Sequence, residues 1–160
     1  MALSNGERTI QDLEVMMYEL WDSFFSDVPR KNLVLIHFGK YSARRLGSIK
    51  WATNRSKIKY LMKDKEEELK FQDDPRVSII TITRFFASLS VPELIPRMTI
   101  AHEMVHYAHG FHSPLPQLYD NPHRGNIVNK ELIKRGMGSQ LAEAEEWLKQ
   151  NWAKHIRMKK

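Results

Sequence analysis

Apolar side chains recur at helical spacing between Ser4 and Asp27. The stripe consists of Ile10, Leu13, Met17, Leu20, Trp21 and Phe24. Ser4 is followed three residues later by Glu7, which is the pattern of a capping box, and Pro29 comes directly after the stripe. The pattern therefore predicts one amphipathic helix over residues 4–27.

The next apolar runs have the composition of strands. Leu33–Phe38 is rich in β-branched and aromatic residues, a second extended stretch covers Leu46–Thr53, and Val77–Thr83 has the clearest strand pattern of the chain. The turn-prone pair Gly39-Lys40 favours a hairpin between the first two strands. The highly charged segment Asp64–Asp74 predicts a solvated turn or a short helix.

Helical patterning returns in the second half of the chain. Pro96–His109 predicts a buried helix, and Gly110 is well placed to end it in the left-handed conformation. Asn121-Pro122 predicts the start of another helix, with Asn as N-cap and Pro at the first helical position, and Gly136 follows that helix. A last helix is predicted to begin near Ser139. Its apolar stripe is Leu141, Leu148, Trp152 and Ile156.

This order of elements predicts an α+β fold with an N-terminal helix, a small, mostly antiparallel three-stranded sheet and C-terminal helices. At 160 residues the chain has the length of a single domain, 1–160, in which 139–160 forms a C-terminal helix and basic tail. The first 27 residues carry six acids and one base, which is not the pattern of a signal peptide. No apolar run approaches the ~18 residues of a membrane span. We therefore expect an intracellular protein, cytoplasmic or associated with a nucleoid or nucleus, with no membrane partner.

Positive charge is concentrated in two segments. Nine bases and no acid lie between Val28 and Met62, and five more bases follow Glu146. This segregation is typical of a surface for phosphate backbones, with aromatic residues interleaved for stacking on bases, but a solvated face and tail would look the same. The candidate nucleic-acid contacts are Arg44, Arg45, Lys50, Arg55, Lys57 and Lys59.

The absence of cysteine narrows the available chemistry. It excludes a disulfide scaffold, a thiolate zinc finger, an iron–sulfur cluster and a cysteine nucleophile, so any metal must be held by His, Asp or Glu. Five of the seven histidines lie in the 22 residues from His102 to His123. The other two, His37 and His155, are predicted to be bystanders.

His102–His106 has the sequence HExxH within a predicted helix. Histidines at i and i+4 differ by ~40° around a helix and ~6 Å along it, so both imidazoles can reach one Zn²⁺ ion. Glu103 points ~100° away from His102, which suits a general base rather than a ligand. This composition predicts about 0.02 accidental matches to the motif, so two ordinary core histidines are the weaker interpretation.

A catalytic zinc ion needs a third protein ligand. His109 lies on the same helix axis as the first two histidines and cannot supply a third tetrahedral direction. His112 has the spacing of the third metzincin histidine, but the glycine that this pattern requires is Gly110, one position too late. We therefore expect His109 and His112 to be exposed polar neighbours of the site.

His123 is the favoured third ligand. It follows a proline-rich loop, so it can approach the ion from a direction that the first helix cannot provide. A glutamate from a later helix remains an alternative. The candidates are Glu131, Glu143, Glu145 and Glu146.

The segment TIAHEMVH at residues 99–106, followed by His123-Arg124-Gly125 and an amphipathic helix, resembles the SprT-like (Spartan-type) zinc metallopeptidase family, which includes proteases that act on DNA–protein crosslinks. The likeness covers residues 5–137, although only the HExxH…H core is specific. It implies a zincin-like fold and one Zn²⁺ ion per chain, held by His102, His106 and His123. Arg124 departs from the family pattern, in which glycine directly follows the third histidine. A chain without cysteine also lacks the family's common zinc ribbon, so DNA contacts would come from the basic face or tail.

The resemblance implies an endopeptidase in which a metal-activated water attacks a peptide carbonyl and Glu103 acts as general base. We expect protein or peptide substrates near or crosslinked to DNA. Tyr119 and Arg124 are candidate donors to the oxyanion, whereas Tyr107 is expected to pack on the other side of the helix. Two alternatives stay open. One is a non-catalytic zinc-containing module that binds DNA or regulates a partner, and the other is a minimal gluzincin-like peptidase with a glutamate as third ligand.

Overall fold

The computed structural model describes residues 6–158, which form six α-helices and a three-stranded sheet. In chain order the elements are α1 (Ile10–Phe24), β1 (Leu33–Phe38), β2 (Gly47–Trp51), α2 (Lys59–Met62), α3 (Glu66–Lys70), β3 (Val77–Ile82), α4 (Leu94–Ala108), α5 (Ile127–Lys134) and α6 (Gly138–Met158). Short 3₁₀ turns at Arg84–Ala87 and Arg124–Asn126 precede α4 and α5. The predicted α+β layout is confirmed, and the charged segment before β3 contains a short helix as expected.

The first helix begins later than the apolar stripe predicts. Thr9 is its N-cap: the Thr9 hydroxyl accepts from the Asp12 N–H at 3.2 Å, and the Asp12 carboxylate accepts from the Thr9 N–H at 2.7 Å. The predicted capping box was wrong, since Glu7 bridges to Ser88 in extended conformation, while Ser4 lies outside the described residues. Arg8 explains the late start, because its guanidinium donates to three carbonyl groups before α4 and holds this segment out of the helix.

The sheet has the order β1-β3-β2. β3 pairs with β1 in parallel and with β2 in antiparallel orientation, so the predicted hairpin between β1 and β2 was wrong, and the sheet is mixed rather than mostly antiparallel. β3 is buried at five of its six positions, as a central strand should be, whereas β2 is buried only at Ile49. β2 is therefore an edge strand within the described residues.

Helix α4 lies at the centre of the molecule. Ten of its fifteen residues are buried, and it packs against α1, α5, α6, β2 and β3. Gly110 follows it with φ +85°, as predicted for a left-handed helix end. A side chain at Gly110 would also meet the backbone of Pro116, so the next loop folds back against the end of α4.

Helices α5 and α6 both pack against α4. The prediction that α5 starts at Asn121-Pro122 was wrong: the Asn121 side chain accepts from the His123 N–H at 2.9 Å in a local turn, and the left-handed residues Gly125 and Asn126 delay the helix to Ile127. α6 begins at Gly138, close to the predicted start. No helix in residues 6–158 is both long and apolar enough to cross a membrane.

Candidate metal centre

Three histidines from two elements converge beside β2. His102 and His106 lie one turn apart on α4, and His123 immediately precedes the 3₁₀ turn before α5. One side-chain nitrogen from each of the three lies within 4.8 Å of the others, and the Nε2 atoms of His106 and His123 are 3.1 Å apart. Within the described part of the chain, this is the group of metal-ligating side chains that comes close enough to share an ion.

The chemistry of the donor set fits zinc. Two Zn–N bonds of about 2.0–2.1 Å at a tetrahedral angle place their nitrogens about 3.4 Å apart, close to the separation observed between His106 and His123. Burial, with the neighbouring His123 as a second cause, lowers the pKa of His102 to about 4. Burial also lowers the pKa of His106 to about 3, with smaller contributions from the other histidines. Both imidazoles are therefore neutral at pH 7, which is the form that binds a metal ion.

The exposure of the three rings leaves one side of the centre open. His106 is only 5% exposed, His102 is half-buried and His123 faces solvent. The Nδ1 atom of His106 has no hydrogen-bond partner within residues 6–158, and the ring packs edge-on against Phe111 at 6.2 Å. Packing against Phe111, rather than a hydrogen bond at Nδ1, therefore orients the His106 ring. An ion can approach the three histidines from the cleft side, where His123 is exposed.

Glu103 is buried where α4 meets the start of β2. It is 5% exposed, and burial raises the pKa of its carboxyl to about 8, while the positive charge of Arg45 acts in the opposite direction. Gly47 makes this close approach possible, because a Cβ there would lie 2.8 Å from Thr99 Cγ2 and 3.1 Å from Glu103 Oε2. A cation held by the histidines would favour the ionised carboxylate.

Two clefts meet at the histidines. The larger cleft, about 690 Å³, has an apolar floor from α4, α5 and α6. Its floor residues are Ile95, Met98, Val128, Leu141, Ala144 and Leu148. The smaller cleft, about 250 Å³, extends along β2 towards Lys50 and His112. Both clefts are lined by Arg45, Gly47, His102, Glu103 and His123.

The competing histidines lie outside the converging group. His112 is exposed, as predicted, and lines the smaller cleft. The prediction for His109 was wrong, because its side chain is buried: Nε2 lies 3.6 Å from Glu131 Oε1, and the ring packs on Tyr119. Gly110, with φ +85°, lies between the two residues, and His112 itself has φ +53°.

The glutamates considered as third ligands have other partners or positions. Glu131 accepts from the Arg135 guanidinium at 2.8 Å and faces His109. Glu145 lies at the rim of the larger cleft and accepts from Asn129, Glu146 accepts from Gln150, and Glu143 is exposed. The structure does not bring any of the four into the histidine group.

The candidate oxyanion donors from the sequence are not in the clefts. Tyr107 is completely buried on the far side of α4, as expected, and donates to Asn32 Oδ1 at 2.6 Å. Tyr119 packs on His109, and Arg124 is exposed at the turn before α5. Neither Tyr119 nor Arg124 lines the larger or the smaller cleft.

The predicted nucleic-acid contacts divide into two groups. Arg44, Arg45 and Lys50 line the clefts, whereas Arg55, Lys57 and Lys59 are exposed further along the chain. The aromatic residues of the basic segment 28–62 already have partners: the Arg76 guanidinium covers Trp51 at 4.2 Å, Tyr41 packs on Phe85, and the Tyr60 hydroxyl bonds to His37. Three of these six basic residues therefore line the clefts at the candidate metal centre, and the other three do not.

Comparison with known proteins finds no family model, no curated protein and no solved structure that matches the chain. The likeness to SprT-like peptidases therefore rests on the HExxH…H motif of the sequence alone.

Proposed function

We propose that this protein is a zinc-dependent endopeptidase of the SprT-like type. The observation that carries the proposal is the convergence of His102, His106 and His123 where two clefts meet, with Glu103 buried beside them. Zn²⁺ in such a site supplies Lewis acidity, which polarises a carbonyl group and lowers the pKa of a water molecule to about 7.

The residues of the chain have separate tasks in this proposal. The three histidines hold the ion through neutral imidazoles. Glu103 accepts a proton from the attacking water while the water oxygen bonds to the carbonyl carbon, and it returns that proton to the amine nitrogen as the C–N bond breaks. The positive charges of the ion and of Arg45 favour the ionised carboxylate, which is the form that accepts the proton.

The surroundings favour an extended peptide as substrate. β2 pairs with β3 on one side only within the described residues, and it begins at Gly47, directly beside Glu103. A peptide that adds to this free edge would run past the histidines, with side chains entering the clefts on either side. The apolar floor of the larger cleft suits a large apolar side chain.

The test combines metal content with hydrolysis. In zinc-loaded protein, Glu103→Gln should abolish cleavage of a fluorogenic peptide library and retain the metal, whereas His102→Ala should lose the metal. Glu145→Gln is the matched control, because Glu145 lines the larger cleft without lying beside the histidines. Protein that binds no zinc, or full cleavage by Glu103→Gln, would contradict the proposal.

A second candidate function is a non-catalytic zinc-containing module that binds DNA. It is supported by Arg55, Lys57 and Lys59, which are exposed and form no ion pair within residues 6–158. In this case Glu103→Gln is silent, and changing all three bases to Glu weakens DNA binding and reduces its salt dependence. The two functions combine if the peptidase acts on proteins near or crosslinked to DNA. A role at DNA would place the protein inside the cell.

A further inference from the structure

One cationic side chain is common to both clefts. Arg45 lines the larger and the smaller cleft together with Gly47, His102, Glu103 and His123. Arg44 lines only the larger cleft, and Lys50 lines only the smaller one. The side chain of Arg45 therefore lies at the junction of the clefts, where the scissile bond of a peptide along β2 would be.

The backbone around Arg45 is held firmly although the side chain is exposed. The Arg45 N–H donates to Ser42 Oγ at 3.1 Å, and the carbonyl of the next residue, Leu46, accepts from the Thr83 N–H at 2.9 Å. Trp152 on α6 adds a third anchor, since its Nε1 donates to the Ala43 carbonyl at 2.8 Å. These bonds fix the start of the side chain relative to β3 and α6.

The guanidinium is available to a ligand. No carboxylate of residues 6–158 pairs with Arg45 within 4 Å. Its charge nevertheless acts on Glu103, where it favours the ionised form. Arginine stays charged at all working pH values and presents several donors in a fixed plane, which suits an oxygen that gains negative charge.

We propose that Arg45 is a catalytic residue whose guanidinium donates hydrogen bonds to the scissile carbonyl oxygen as negative charge develops on it. This assignment rests on the proposed peptidase function. It assigns to Arg45 the role of oxyanion donor that the sequence suggested for Tyr119 or Arg124. It also gives Arg45 a role other than the nucleic-acid contact that the sequence suggested. A preorganised donor at this position acts mainly in the transition state, so its loss should lower kcat more than it raises KM.

The first test compares Arg45 with a second exposed arginine, Arg84, in zinc-loaded protein with a short fluorogenic peptide and no nucleic acid. Arg45→Ala should lower kcat on the order of 100-fold with little change in KM and unchanged zinc content, and Arg45→Lys should recover part of the loss. Arg84→Ala is the control, and its kcat should stay within about threefold of the parent value, because Arg84 is exposed and lines neither cleft.

The second test measures binding rather than turnover. A phosphinic peptide carries a tetrahedral anion in place of the scissile amide and resembles the transition state. In calorimetric titrations, Arg45→Ala should weaken binding of this peptide more than it weakens binding of the uncleaved parent peptide, which is measured in a Glu103→Gln background. A purely structural role for Arg45 would reduce both affinities equally and lower the thermal midpoint.

The outcomes separate this inference from the proposed function. If the parent protein cleaves peptides and Arg45→Ala behaves like Arg84→Ala, the role of Arg45 is overturned and the peptidase stands. If zinc-loaded parent protein and Glu103→Gln are equally inactive on every peptide, the proposed function fails and the assignment fails with it.

Discussion

The buried polar groups on the two faces of α4 differ in their hydrogen bonding. On the face away from the clefts, the Tyr107 hydroxyl donates to Asn32, Asn32 donates to Ser78 Oγ at 2.9 Å, and Ser78 donates to the His112 carbonyl at 2.6 Å. On the cleft face, burial depresses the pKa of His106 and raises that of Glu103, and the Nδ1 atom of His106 has no partner within residues 6–158.

This difference indicates that one face of the helix stabilises the fold and the other carries the candidate metal centre. A closed network of hydrogen bonds stabilises a fold, because every buried donor and acceptor is satisfied. Buried groups with shifted pKa values in a cleft carry a cost that a ligand can offset, and such groups cluster at functional sites. We expect substitutions on the cleft face to change metal binding and hydrolysis, and those on the far face to change stability.

The largest expected effect is on zinc affinity. His123→Ala should weaken zinc binding by more than about 100-fold, because it removes one of three converging imidazoles. Glu131→Ala should leave zinc affinity nearly unchanged, since Glu131 faces Arg135 and His109 instead of the centre. Competition with a chelating dye measures both constants. The reverse ranking would support the gluzincin-like alternative.

A second prediction tests the junction between β2 and α4. Gly47→Ala places a methyl group against Thr99 Cγ2, whose side chain is held by a 2.9 Å hydrogen bond to the Ile95 carbonyl, and it crowds Glu103. We expect the free energy of unfolding to fall by about 1–3 kcal/mol and peptide hydrolysis to fall with it.

The control and the rescue for this variant lie in the same chain. Gly138→Ala should be neutral or stabilising, because its Cβ would meet Ile133 only at an ordinary 3.7 Å. Adding Thr99→Ser to Gly47→Ala removes the clashing methyl group and should recover most of the lost stability. Chemical denaturation and peptide cleavage measure all four proteins, and a double variant no more stable than Gly47→Ala would refute the steric explanation.

The far face of α4 should respond in stability alone. Tyr107→Phe leaves the buried Asn32 Oδ1 without its donor, which should cost about 1–3 kcal/mol of unfolding free energy. Zinc affinity and kcat should remain at parent values once the variant is folded. Tyr41→Phe serves as a control because Tyr41 is 63% exposed. A large loss of zinc affinity in Tyr107→Phe would break the distinction between the two faces.

The smallest effect belongs to a surface ion pair, Asp27–Arg135, which lines neither cleft. Hydrogen bonding to Arg135 lowers the pKa of Asp27, so this pair stabilises the fold above the unfolded-state pKa of Asp27, and the contribution is lost as pH falls through the folded-state value. The Asp27 side chain is 69% exposed, so screening keeps the contribution within about 1 kcal/mol. Asp27→Asn should flatten the acid side of the stability profile slightly. An unchanged profile between pH 5 and 2 would show that the pair contributes nothing.

Local patterns gave accurate predictions wherever neighbours in sequence decide the structure. The helix that carries HExxH, its left-handed end at Gly110 and the strand Leu33–Phe38 follow from periodicity and glycine chemistry over a few residues. Helix starts were less accurate, because Thr9 competes with Ser4 as a cap, and the carbonyl partners of Arg8 come from a segment about 80 residues away.

Long-range pairing decided the rest. β3 lies between β1 and β2 although β1 is equally buried, so neither local burial nor the turn signal at Gly39-Lys40 reveals which strand is central. His109 is buried by partners distant in sequence, Glu131 on α5 and Tyr119 in the preceding loop. Likewise, Arg45 reaches the junction of two clefts because β2 packs against α4, whereas in the sequence it is one base among nine.

By itself, the sequence determined which chemistry is available: no thiolate, histidines in a helical pair and a glutamate between them. Spacing along one helix fixes the relative positions of His102, Glu103 and His106, because helix geometry is local. Only the tertiary structure decided that His123 joins them and that the glutamates of the later helices do not. The physical reason is that the position of a third side chain depends on how the loop and α5 pack, and packing is set by contacts far apart in the chain.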